Sequence, residues 1–145
     1  MVHAFKDDHF SAEYNNYVQV REQGLKKQGN QMLAKLMDYF DTLDKATQRE
    51  ICYKFCCLMD DEKVAPNFFV TQRLISILKE DYEQNKMPQM RWYYVLTMDT
   101  DNSFILEKAY AHPECDMATA ELMVNWLDYR LHHGIHHLPD YILLQ

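Results

Sequence analysis

Four histidines crowd the end of the chain in His132-His133-Gly134-Ile135-His136-His137, and imidazoles one helical turn apart, 132 with 136 or 133 with 137, can hold a transition metal between them. Asp128 and Asp140 add possible carboxylate ligands. Metalloprotease chemistry asks for more, because a glutamate after the first histidine must activate water, and after His133 stands Gly134. Glycine there is expected to stop the helix and separate the pairs. A competing reading places these histidines at the negative pole of a helix dipole.

Two other clusters invite chemistry. Asp99-Thr100-Asp101-Asn102-Ser103 begins like a calcium loop, but Phe104 stands where the sharp turn needs glycine and Tyr110 where the bidentate glutamate belongs, so a capped loop is the better expectation. Cys52, Cys56 and Cys57 fit neither the C-x-x-C redox motif nor a zinc pair, and are expected in the core. Cys115 precedes a helix whose N-terminus favours a thiolate, with His112 nearby, yet no base or orienting group is evident. A phosphate-cradling glycine loop, a G-x-S-x-G elbow and a dinucleotide fingerprint are all missing. No catalytic residue and no cofactor is therefore assigned.

Helices must position these residues, since three glycines and four prolines are too few for the turns of a β-sandwich. A first stretch from Ser11 to Leu43, capped by Ser11, is divisible at Gly24 or Gly29. Thr47-Gln48-Arg49-Glu50 has the form of a capping box for a helix starting near Asp44 or Thr47 and fraying at Asp60-Asp61. Pro66 suits the first turn of the next, which Asn85 to Pro88 close. Met90 to Asp99 reads as helix, Asn102 or Ser103 caps a short helix through Ala111, and Asp116 caps the clearest one, with Thr119, Leu122, Met123, Trp126, Leu127 and Arg130 along one side. The tail LPDYILLQ is apolar enough to dock on the core. The expected fold is all-α, a single compact bundle of about six to seven helices in one domain, 1–145. Trp92, Leu96, Ala109, Tyr110, Ala111 and Pro113 loosely resemble one tetratricopeptide unit, which implies a packed helix pair in the C-terminal half.

Charge distribution carries the functional expectation. Residues 1–94 hold 14 acidic and 13 basic side chains, whereas 95–145 hold 8 acidic and only Lys108 and Arg130. A face of that sign repels nucleic acid and anionic lipid and speeds encounter with a basic partner; it can also serve solubility alone. The candidate contacts are Asp99, Asp101, Glu107, Glu114, Asp116, Glu121, Asp128 and Asp140, with Tyr129 and Tyr141 as aromatic anchors beside the last two acids. No apolar run reaches the roughly 18 to 20 residues that span a bilayer, and no secretory signal is visible. Cytoplasmic residence is expected, and no membrane or nucleic-acid partner.

A small helical chain, acidic at one end and without a catalytic motif, resembles in type the immunity proteins encoded beside bacterial polymorphic toxins, including contact-dependent growth-inhibition systems. The resemblance implies a cytoplasmic antidote that occludes the active site of a toxin domain, often a nuclease. The alternatives are a helical metal-binding protein or metalloenzyme using His132, His133, His136 and His137, and a helical adaptor.

Overall fold

A computed structural model describes residues 2–98 and 101–143, with the backbone alone described from 136 onward. The protein is all-α, and the described residues contain seven helices and no strand. These are α1 (Asp8–Glu22), α2 (Lys26–Thr42), α3 (Lys45–Glu62), α4 (Phe68–Glu83), α5 (Gln89–Leu96), α6 (Ser103–Tyr110) and α7 (Met117–Leu143). No helix is long and apolar enough to cross a membrane, among the described residues. The chain divides into two compact units, Met1–Ile77 and Leu78–Gln145, the division falling inside α4.

In the first unit the long N-terminal stretch breaks at Gly24, whose φ of +81° lies in the left-handed region that only glycine enters freely. Gly29 does not break it: it is buried inside α2, where α1 crosses close enough for Arg21 and Tyr17 to cover it. Asp7, not Ser11, caps α1, accepting from the Phe10 N–H at 2.7 Å. Ser11 has another role, since its hydroxyl accepts from the Phe5 N–H at 2.8 Å, while Asn15 exchanges two 2.8 Å bonds with the backbone of His3. Two α1 side chains thus hold the N-terminal segment along the helix. Rings from that segment, α1, α2 and α3 form an aromatic core: Phe10 lies 5.0 Å from Phe5 and 6.1 Å from both Phe40 and Phe55.

Asp44 caps α3 through the Thr47 N–H, so the capping residue lies three positions before the expected box. That helix ends at Glu62 with Lys63 in the left-handed region. Cys52 and Cys56 are buried as expected, but Cys57 is exposed because it turns away from the face that Ile51, Phe55 and Met59 present to the core. Pro66 stays outside α4, whose first turn is closed instead by Asn67, accepting from the Phe69 N–H.

In the second unit α5 packs on α6 and α6 on α7. Tyr94, Ile105, Leu106 and Met123 are its buried cluster, flanked by Tyr82, Leu122 and Trp126. Asn102 precedes α6 without a capping bond; its amide instead donates to the Tyr94 carbonyl at 3.1 Å and to Thr97 Oγ1 at 2.9 Å, tying α5 to α6. Asp116 caps α7 as expected, accepting from the Thr119 N–H at 2.8 Å.

The largest departure is at Gly134, which does not stop α7: the helix continues to Leu143. Glycine lowers helix propensity by only about 1 kcal/mol, and the long run of helix formers before it outweighs that. A Cβ at position 134 would meet nothing within 4 Å. Gly134→Ala is accordingly expected to raise the helical circular-dichroism signal and stabilise the helix by about 0.5–1 kcal/mol. A left-handed stop at this position would give the opposite sign.

Candidate protein-docking surface

Helix α7 supplies the main candidate surface. Its inner side is fixed by Thr119 and Met123, both buried, with Leu122 and Trp126 half-buried against the cluster of the second unit. Leu127, expected on that side, is 52% exposed, and Arg130 reaches back only to lay its guanidinium 5.1 Å from the Trp126 ring centre.

Opposite the core lies a stripe that the sequence does not single out. Met117, Val124 and Leu131 recur at seven-residue spacing, and Glu121, Asp128 and Ile135 repeat it four residues later. At 3.6 residues per turn these six side chains share one face, and all are exposed. The stripe is apolar and its only charges are carboxylates. Every described side chain from Leu127 to Ile135 is exposed, so this stretch stands clear of the core on all sides.

Electrostatics reinforce the pattern. The second unit has five basic side chains, and four are engaged inside it. Lys86 Nζ lies 3.4 Å from the fully buried Asp81, and Arg91 Nε lies 3.2 Å from Asp116. Lys108 sits 4.2 Å from the Tyr82 ring centre, and Arg130 covers Trp126. By contrast Asp101, Glu107, Glu114 and Glu121 are exposed and form no ion pair with another described residue. With Lys86 and Arg91 paired to carboxylates, and Asp101, Glu107, Glu114 and Glu121 exposed without a counter-charge among the described residues, this unit has an acidic exterior.

The predicted contacts therefore sort unequally. Glu121 and Asp128 lie on the outward stripe of α7, Asp101 precedes α6, Glu107 lies on α6, and Glu114 lies in the turn before α7. Asp116 faces inward functionally: burial raises its pKa, but bonds from Thr119 and the charge of Arg91 outweigh this and hold the carboxyl below its ordinary value. Tyr129 is 67% exposed, about a third of a turn from the stripe, and touches the His133 ring at 6.1 Å between centres. Asp99, and the side chains of Asp140 and Tyr141, lie outside the described residues, as does the docking of the LPDYILLQ side chains.

The unbroken helix gives His132 and His136 the one-turn spacing that a metal pair needs, though the side chains of His136 and His137 are among those not described. His132 Nδ1 lies 2.9 Å from the Asp128 carbonyl and 3.3 Å from its carboxylate. Among the described residues no three His, Cys, Asp or Glu side chains gather as a metal site. The half-buried Cys115 has its sulfur 3.6 Å from the Asp116 carbonyl. Compared with protein-family models, curated proteins and solved structures, the chain matches none.

Proposed function

We propose that the chain is an acidic binding module that docks a basic protein partner on the outward face of α7. The observation that carries this reading is the stripe itself, in which exposed Met117, Val124, Leu131 and Ile135 are interrupted only by Glu121 and Asp128. Apolar side chains supply the desolvated centre of an interface, and carboxylates at its edge select a cationic partner and hasten encounter. Charge also argues against a second copy as the occupant. A parallel, in-register pairing along this stripe would set Glu121 and Asp128 of one chain against the same residues of the other. The fully overlapping antiparallel pairing would set Glu121 against Leu131 and Asp128 against Val124, leaving each carboxylate without a counter-charge; both arrangements cost affinity.

In its most specific form the reading is an immunity protein, whose partner is a toxin domain with a cationic, phosphate-holding groove. Occlusion of that groove by carboxylates would compete directly with a nucleic-acid substrate.

Reversing Glu121 and Asp128 to lysine tests it. A basic protein co-purified from native cells by the wild-type chain should associate about ten- to a hundred-fold more slowly with the double variant, with a flatter salt dependence. Glu13→Lys in the first unit should leave both unchanged. Equal association rates for wild type and double variant would sink the proposal. The metal-binding alternative would gain instead from stoichiometric metal in tag-free protein that disappears with His132→Ala.

A further inference from the structure

The first unit contains a cavity of about 120 Å³ that plays no part in the α7 surface. Its floor is buried Tyr17, Phe55 and Met59, its walls include His3 and Tyr14, and exposed Glu62 stands at its rim.

The rings that line it pack against one another and, through Tyr14 and Phe55, against Phe5 and Phe10 of the aromatic core. Tyr14 meets Phe55 at 5.1 Å between centres with 82° between planes, and meets His3 at 5.6 Å and 70°. Tyr17 closes another side at 5.7 Å and 44° from Tyr14. His3 is not there by chance of a loose terminus, because Asn15 bonds both its N–H and its carbonyl. Glu62 is the last residue of α3, so the helix's negative pole adds to the charge of its carboxylate. No described cation pairs with it.

We propose that this cavity is a binding site for a methylated ammonium group, held by the aromatic faces of Tyr14, Tyr17 and Phe55 and by the carboxylate of Glu62. On size, a cavity of about 150 Å³ accommodates benzene and a trimethylammonium head is close to benzene in volume, so this cavity of about 120 Å³ takes the methyl groups while the rest of the ligand stays outside. The chemistry fits as well. A cation covered by methyl groups has little hydration to lose, gains from π-faces, and matches the apolar lining; a bare ammonium would forfeit strong hydration for a single carboxylate. Burial, with Tyr17 and Glu62 close by, pushes the Tyr14 phenol up to about 12, which keeps the ring neutral at the cavity wall.

The test titrates the intact chain with choline, with tetramethylammonium, and with the choline analogue in which carbon replaces the charged nitrogen, following the Tyr14 and Tyr17 ring signals by nuclear magnetic resonance. Saturable shifts with both cations, and at least about tenfold weaker binding of the neutral analogue, are expected. Glu62→Gln should weaken cation binding about fivefold without affecting the neutral analogue; as an exposed residue, position 62 tolerates the change with the fold intact. Tyr14→Leu should abolish the response. A peptide carrying trimethyl-lysine identifies the source: tighter binding than choline assigns the site to a modified protein, and weaker binding to a free small molecule. Equal affinity for the neutral analogue, or no saturable shift with either cation, would overturn the proposal.

Discussion

Phe10→Ala is expected to destabilise the first unit by about 3–5 kcal/mol, the cost of deleting a fully buried aromatic ring. Phe10 has no exposed surface and touches rings from the N-terminal segment, α2 and α3, so no single neighbour can move to fill its space. A unit spanning Met1–Ile77 carries on the order of 4–12 kcal/mol in all, so one substitution removes a large share. Urea unfolding followed by circular dichroism gives the measurement. Phe10→Leu, which keeps much of the apolar volume, should cost less than alanine; a loss below about 1.5 kcal/mol for alanine would contradict the packing described.

Asp116→Ala should have the next largest effect, about 2–4 kcal/mol, felt in the second unit. One carboxylate there accepts from the Thr119 N–H at 2.8 Å, from the buried Thr119 hydroxyl at 2.6 Å, and from Arg91, itself buried, at 3.2 Å. Alanine removes the cap of α7 and takes an acceptor from two buried donors at once. Asp116→Asn should be gentler, since the asparagine oxygen still accepts from Thr119 and caps the helix, although its amide NH2 replaces the oxygen that accepts from Arg91, so that bond is lost with the charge.

The same carboxyl predicts a pH dependence. Its folded pKa is held below the ordinary aspartate value, so its contribution is complete above about pH 4 and is lost as the pH falls from there through the folded value. The acid limb of a stability curve should therefore be shallower for Asp116→Ala than for wild type. Parallel acid limbs would mean that the Arg91 contact and the Thr119 bonds do not favour the ionised form.

Local chemistry explains why some elements were legible in the chain. Asp44 and Asp116 cap because a short carboxylate can reach the N–H three residues on, a contact within one turn that needs no tertiary neighbour. Gly24 ends α1 for the same kind of reason, a backbone angle that side chains resist. Ser11 misled because Asp7 stands nearer the true start, and because the serine oxygen is taken by Phe5, in a segment whose course along α1 is a tertiary matter. Gly134 misled because propensity is a small preference that a long helix overrides.

The candidate sites divide along the same line. Acidity concentrated after residue 95 could be counted directly, and it pointed to Glu121 and Asp128. The apolar residues beside them could not be assigned outward, since α7 carries Met, Val, Leu and Ile on several sides and periodicity alone does not say which side meets the core. The aromatic cavity was further out of reach, because its walls come from residues 3, 14, 17, 55 and 62, brought together only when the N-terminal segment, α1 and α3 pack.

By itself the sequence determined the helical class, most helix ends and the sign of the charge, because these depend on composition and on contacts within a turn or two. Which helix face points to solvent, which cations are neutralised from within, and which distant rings enclose a cavity were decided by tertiary packing. Those outcomes depend on pairings between residues far apart in the chain, and no spacing along it encodes them.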